Sequence, residues 1–246
     1  MARYDFRTPR LYVPGDLAEG GEASPAEAGI HYLRNVLRLP AGAEVQVFNG
    51  RDGEWQARLA TVSKREIRLE ILRQLRPQPR PSPLHYAFAP IKHARFDFVV
   101  EKAVELGAGR ITPVITQHTQ VTRVNGERMR ANVIEAAEQC GVLALPETEE
   151  AVSFADWLAA VDSQRTIVFC DEDAEIADPL RALREAPDRA CTLIVGPEGG
   201  FHPKEREALI ARSGVIRLSL GPRILRADTA AVAALALLQA ARGDWR

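Results

Sequence analysis

Cysteine is scarce in this chain of 246 residues. Cys140, Cys170 and Cys191 are odd in number and lack Cys-x-x-Cys spacing, which argues against a disulfide framework or a zinc ribbon and suits a reducing, cytoplasmic setting. Long apolar runs are missing too. The most hydrophobic stretch, Ala230 to Ala241, falls short of the ~18 residues a membrane span needs and is built of alanine rather than leucine, so no membrane segment is expected. The basic start, Met1 to Arg10, leads into no apolar segment, so no secretory signal is expected. The five histidines, at 31, 85, 93, 118 and 202, show no metal-ligand spacing, and no Gly-Lys-Ser/Thr loop follows a strand pattern. A metal centre and a P-loop nucleotide hydrolase are therefore not expected.

Net charge is nearly absent at -1, but it is unevenly spread: the first 83 residues carry +3 and the remainder -4. In the basic part, Arg3, Arg7 and Arg10 interleave with Tyr4, Phe6 and Tyr12, and Arg34 and Arg38 follow. Cations beside aromatic rings suit phosphates and stacked bases, so these arginines are candidate RNA contacts; a solvated basic surface is the alternative.

With 46% hydrophobic and 26% charged residues, the composition is that of an ordinary globular protein. Alternating prolines over 77–83 remove backbone donors and hold the chain extended, marking a linker between a domain at 1–76 and another at 84–246. Before the linker, Ala43 to Asn49, Glu54 to Val62 and Glu66 to Leu72 alternate in polarity and are broken by Asn49-Gly50 and Asp52-Gly53, which predicts a small β-barrel preceded by a helical piece at His31 to Leu37. After it, strand patterns at Leu84 to Ala89, Ile111 to Ile115, Thr166 to Cys170, Cys191 to Val195 and Val215 to Leu220 alternate with helical ones. The helices are expected at Ala94 to Leu106, Glu127 to Gln139, Ile176 to Arg184, Pro203 to Arg212 and Thr229 to Arg242. That alternation predicts a mainly parallel α/β sheet.

Ligands of such sheets collect at the carboxyl ends of the strands. Two loops there stand out. Gly196-Pro197-Glu198-Gly199-Gly200-Phe201 lets backbone approach a ligand without interference from Cβ atoms, although a plain strand-to-helix turn has the same composition. The second runs Leu218-Ser219-Leu220-Gly221-Pro222-Arg223-Ile224-Leu225-Arg226-Ala227-Asp228-Thr229-Ala230 and sets Arg223 and Arg226 near the positive end of the last helix, with Asp228 or Thr229 as its cap.

These two motifs together resemble the RsmE family of ribosomal RNA (uracil-N3)-methyltransferases, of the SPOUT class. His31 to Arg38 with Gly42 is similar to that family's front segment, and Phe98 to Gly107 with Ile111-Thr112-Pro113 to its middle signature. The resemblance implies a PUA-like RNA-binding barrel joined to a SPOUT α/β domain, whose end threads a deep trefoil knot that cradles S-adenosylmethionine. It assigns the cofactor to Gly196, Pro197, Glu198, Gly199, Gly200, Phe201, Leu218, Leu220, Gly221, Ile224, Leu225, Arg226, Thr229 and Ala230. It also implies a homodimer and 16S ribosomal RNA or the small ribosomal subunit as substrate; the positive sulfur of that donor is itself the electrophile, so no metal is expected.

The chain departs from the family pattern at Val142, where an arginine is usual, at Gln117-His118-Thr119, and at Asp228, where a glutamate is usual. For the chemistry, Arg226 is the candidate cation for a uracil anion, and Glu198 or Asp228 the candidate proton acceptor. Each carboxylate has a structural alternative, Glu198 as loop organiser and Asp228 as helix cap. A ribose 2'-O-methyltransferase and a non-enzymatic RNA-binding protein are the competing functions.

Overall fold

Period-two alternation in the front of the chain becomes strands in the computed structural model, which describes residues 7–63, 66–92, 94–175 and 178–245. Strands β1 (Arg10–Tyr12), β2 (Glu22–Ala23), β3 (Glu44–Phe48), β4 (Glu54–Val62) and β5 (Ile67–Arg76) form one sheet in the order β1-β3-β4-β5-β2. β1 runs parallel to β3, and the other neighbours are antiparallel. Val45, Val47, Ala57, Leu59, Leu69 and Ile71 turn from the strands into a core shared with Leu11, Val13 and Leu33. β5 runs past the expected end at Leu72 because Glu54, buried at the start of β4, pairs with Arg76 Nε at 2.6 Å and with Arg10 Nε at 2.6 Å. Burial alone would raise the Glu54 carboxyl, but the hydrogen bonds from Arg76 and Arg10 outweigh it and hold the group below its ordinary value.

The helix expected from His31 begins earlier. α1 spans Glu27–His31 and passes into a π-helical turn, Tyr32–Val36, closed by Leu37 N–H on the Tyr32 carbonyl at 3.0 Å. Gly29 disguises this helix in the sequence, being a poor helix former. A Cβ at Gly29 would stand 3.0 Å from the Pro25 Cβ and 3.2 Å from a Leu11 methyl, tighter than ordinary contact, so the close approach to β1 favours glycine. Arg38 follows with φ of 53°, the one non-glycine residue in the left-handed region among the described residues.

Two units result, residues 1–81 with 137–145, and residues 82–136 with 146–246. Segment 137–145 thus joins the front of the chain. Arg10 donates to the carbonyls of Ala137 and Val142, Tyr12 N–H to Glu138 Oε1 at 2.8 Å, and Arg76 to the Gly141 carbonyl at 3.1 Å.

The second unit holds β6 (His85–Phe88), β7 (Arg110–Ile115), β8 (Glu147–Thr148), β9 (Val152–Ser153), β10 (Thr166–Cys170), β11 (Cys191–Val195) and β12 (Val215–Leu218). Its helices are α2 (Ala94–Glu105), α3 (Gly126–Cys140, whose end belongs to the first unit), α4 (Phe154–Ala160), α5 (Pro179–Glu185), α6 (Pro203–Ala211) and α7 (Ala227–Arg242). The sheet order is β12-β10-β11-β6-β7-β8, with β9 beside β7, and every pairing is parallel. The central strands are buried throughout, as at Ile167, Val168, Phe169, Leu193 and Ile194, which explains their near-continuous apolar sequence. Parallel pairing brings the loops after β7, β10, β11 and β12 to one edge.

Helix α4 matches no expected segment, and three helix starts differ from expectation, α3 by one residue, at Gly126 and not Glu127. α5 begins at Pro179, where the Asp178 side chain accepts the Arg181 N–H at 3.0 Å; Ile176 lies outside the described residues. α7 begins at Ala227, two residues before Thr229. Among the described residues no helix is long and apolar enough to cross a membrane.

Candidate functional site

The loop after β11 is folded tightly on itself. Gly200 N–H bonds to the Pro197 carbonyl at 2.9 Å, and this turn holds Gly200 at φ of 68°, where side chains are disfavoured. Gly196 is required for a different reason, since a Cβ there would lie 2.9 Å from the Phe201 ring. Phe201, expected at the cofactor, instead directs its ring into the core, edge-on to Phe169 at 5.7 Å and tilted against Phe154 at 6.0 Å. An aromatic side chain gains more from that apolar pocket than from the surface, so Phe201 anchors the loop. Glu198 and Gly199 are exposed. His118, from the loop after β7, places Nδ1 at 3.1 Å from the carbonyls of both Gly199 and Gly200.

The segment from Ser219 to Arg226 is built differently. Leu218 is fully buried, and its carbonyl accepts the Asp171 N–H at 3.0 Å. Beyond it, Gly221, Pro222, Arg223, Ile224 and Arg226 are exposed and Leu225 is half-buried, with Ile224 at 85%. Arg226 occupies the N-cap position of α7 without a side-chain cap bond, and neither Arg223 nor Arg226 has a side-chain partner among the described residues. Asp228 does not cap the helix. It lies in the first turn, where it complements the helix dipole; Oδ2 pairs with Arg95 Nη1 at 3.1 Å and Oδ1 accepts the Thr229 N–H at 2.9 Å. Thr229 is exposed, and Ala230 is buried beneath it.

A third loop, after β10, was not singled out by the sequence. Asp171, 3% exposed, takes Arg206 on both carboxylate oxygens at 3.1 Å and Arg217 Nε on Oδ2 at 2.6 Å. Burial pushes its pKa up, and the hydrogen bonds from Arg206 and Arg217 overcome this and leave it below the ordinary value. The only signal in the sequence was an acid directly after a buried strand. Asp171 holds in place a loop that, with Ser219–Pro222, α5 and the alanine face of α7, borders an open cavity of about 960 Å³. Glu172 and Glu175 are its carboxylates, and Ala233, Leu237 and Trp245 are part of its apolar wall. Gly196–Phe201 does not line this cavity but adjoins it: Glu172 Oε1 is 3.0 Å from where a Gly200 Cβ would be.

Of the five arginines read as RNA contacts, Arg3 lies outside the described residues. Arg7 is exposed. Arg10 is a correction: its side chain is 9% exposed, its guanidinium stacks at 3.7 Å on Phe48, and its donors serve Glu54, Ala137 and Val142. Burial lowers its pKa, and Glu54 works against that. A cation enclosed in this way has no face for a phosphate. Arg34 reaches the Ser63 carbonyl at 3.3 Å and Asn35 Oδ1 at 3.0 Å, bracing the π turn. Arg38 is exposed, as are Tyr32 and Val36 on the same turn.

The sequence profile of an RNA methyltransferase domain matches residues 78–239, and that of an RNA methyltransferase PUA domain matches residues 27–72. Ribosomal RNA small subunit methyltransferase E of Rickettsia conorii is 35% identical over 229 residues, covering 92% of this chain and 93% of that protein. The Neisseria gonorrhoeae protein of the same name, solved bound to S-adenosyl methionine, superposes with a TM-score of 0.86 at 28% identity, covering 97% of this chain and 100% of that one. A methyltransferase structure from Legionella pneumophila, in complex with bound cofactor SAM, gives a TM-score of 0.82 at 32% identity over 96% of this chain and 98% of that one. The mostly parallel α/β sheet and the PUA domain implied by the motifs are both present.

Proposed function

The chain belongs to the ribosomal RNA small subunit methyltransferase E family, and from that premise we propose that it methylates N3 of a uridine in 16S ribosomal RNA, with S-adenosylmethionine as donor. The observation that carries this reading is the cavity at the carboxyl edge of the sheet, bounded by the return loop into α7. Its volume suits a small-molecule ligand, its alanine and leucine wall suits a flat ring, and Glu172 and Glu175 supply negative charge for a cationic one. The donor set therefore fits the cofactor. When bound, S-adenosylmethionine supplies a methyl group on positively charged sulfur, ready for in-line attack.

The chain's own residues then have to prepare the uracil. N3 carries a proton and is a poor nucleophile until that proton leaves. A cation near a ring carbonyl stabilises the anion that forms, and we assign this to Arg226, exposed at the start of α7 and without a carboxylate partner among the described residues. Glu198, exposed on the glycine loop, is the proton acceptor in this scheme. Asp228 is engaged with Arg95 and serves to orient the first turn of α7. Leu220 and Gly221 line this cavity, and the backbone of Gly196, Pro197, Gly199, Gly200 and Phe201 beside it, with Ile224, Leu225, Thr229 and Ala230, completes the cofactor set in this reading. Arg7, Arg34 and Arg38 hold the RNA, and we place the reaction in the cytoplasm, carried out by a homodimer.

The deciding experiment is methylation of unmodified small subunits and of naked 16S RNA with labelled S-adenosylmethionine, followed by mass spectrometry of the nucleosides. N3-methyluridine is expected; a ribose methyl, or none, overturns the proposal. Replacing Arg34 and Arg38 by serine should flatten the salt dependence of RNA binding by about 0.7 to 0.9 in log-log slope for each phosphate no longer neutralised. A wild-type slope in that variant would remove both residues from the RNA surface.

A further inference from the structure

His118 stands where the family pattern differs, and the proposed chemistry leaves it unused. Its two neighbours, the carbonyls of Gly199 and Gly200, can only accept, so Nδ1 must carry the hydrogen that both receive. Glu205, in the first turn of α6, bridges the same two loops: Oε1 accepts the Gln117 N–H at 2.8 Å and Oε2 the His202 N–H at 3.0 Å. His202 in turn accepts the Lys204 N–H at 3.3 Å and sets its ring edge-on to His118 at 5.8 Å. The far side of this ring of contacts is fixed as well, because Thr119 Oγ1 accepts the Thr116 N–H at 2.9 Å.

Adjacent glycines lose more conformational freedom on ordering than any other pair, so Gly199-Gly200 would ordinarily charge that cost to the ligand. The contacts above meet it within the folded chain. They also set direction. Across a planar trans peptide the N–H points opposite to the C=O, and no cis bond occurs among the described residues. Turning the Gly199 and Gly200 carbonyls to His118 therefore aims the Gly200 and Phe201 N–H groups the other way. The first is used by Pro197, and the second has no partner among the described residues.

We infer that His118 and Glu205 are positioning residues that hold the glycine loop in its cofactor-binding form, acting through Gly199, Gly200 and His202 and not by touching the methyl group. This rests on the reading of that loop as part of the S-adenosylmethionine site. The test uses the full chain and four variants: His118→Ala, His118→Asn, Glu205→Ala and Gly199→Val. S-adenosylmethionine affinity by calorimetry, KM and kcat on ribosomal RNA, and melting temperature are measured together. His118→Ala and Glu205→Ala should each raise the dissociation constant and KM for S-adenosylmethionine by about tenfold while kcat at saturation changes far less. His118→Asn, whose amide can still donate to the carbonyls, should recover most of the affinity. Gly199→Val serves as the reference for the loop itself, since the nearest atom to a Cβ there is in His118 at 3.5 Å, an ordinary contact distance. Unchanged affinity in folded His118→Ala beside a weakened Gly199→Val overturns the positioning role and leaves the loop reading standing. If Gly199→Val is silent too, both fall. A loss confined to kcat also overturns the inference.

Discussion

The loops after β11 and β12 leave the same edge of one sheet, separated only by β10, yet they are built on opposite plans. The glycine loop is closed by its own turn, pinned below by Phe201 and braced from the side by His118. The return loop leaves Arg223, Ile224 and Arg226 exposed and without side-chain partners among the described residues. Backbone donors and acceptors cost little to present when the fold has already fixed them, whereas two unpaired arginines and an exposed isoleucine gain most of their interactions only when something else arrives. In the proposed scheme this contrast divides the labour: the braced loop presents fixed backbone to the cofactor, and the open loop, beside its own cofactor contacts, brings Arg226 to the reacting base.

The largest effect that could break this contrast lies at Arg226. Arg226→Ala should slow single-turnover methylation by about a hundredfold to a thousandfold, the usual cost of losing one preorganised electrostatic donor, with cofactor affinity and melting temperature near wild type. Arg226→Lys should fall between, since it keeps the charge and loses the planar fork. If cofactor affinity and melting temperature decline in step with rate, the return loop is structural and the division of labour fails.

Next in size is Asp171, which belongs to the braced side. Asp171→Asn leaves Arg206 and Arg217 without their anion; because both arginines are partly exposed, the expected loss is about 3 kcal/mol, the low end for breaking a buried pair, or several degrees in melting temperature. Cofactor affinity should fall with it, as the loop lining the cavity loosens. The pH dependence has a definite sign. The folded carboxyl titrates below its unfolded value, so its stabilisation is complete above the ordinary carboxylate range and disappears as pH falls through the depressed folded pKa. Melting curves from neutral to acid pH should converge for wild type and Asp171→Asn; a constant gap would show that the charge is not what holds the loop.

Sequence reading saw the two sides of this contrast unequally. Strands β10 and β11 were legible because burial on both faces leaves an almost unbroken apolar run, and α6 was legible from Pro203. The glycines were read correctly as marking a loop, but not the reasons they differ: Gly196 is set by a ring five residues later and Gly200 by its dihedral. The side chains of Phe201 and Arg10 turn inward, and no local pattern shows it, for one reason. An aromatic beside glycines and an arginine among aromatics look like ligand contacts until the tertiary neighbours, Phe169 in one case and Glu54 with Phe48 in the other, are known. Asp171 is not marked by any local pattern, and His118 is marked only as a departure from the family, because their partners lie 35 and 81 residues away. Arginines among aromatics point to RNA, but the cofactor and the ribosomal identity of the RNA come from the resemblance, since no periodicity carries them.

The smallest expected effect is at Ile224, and it separates the two plans most cleanly. Its side chain is 85% exposed among the described residues, so Ile224→Ser should leave the melting temperature of the free protein almost unchanged, within about 0.5 kcal/mol as for ordinary surface positions. An exposed isoleucine is nevertheless worth about 2 kcal/mol once covered. The same substitution should therefore weaken the loaded complex, seen as a higher dissociation constant for S-adenosylmethionine or a lower kcat/KM for ribosomal RNA, by more than it weakens the fold. Melting curves of the free chain beside kcat/KM for RNA make the comparison. A drop of several degrees without ligand would mean that the return loop is braced after all, through contacts of Ile224 within the free chain.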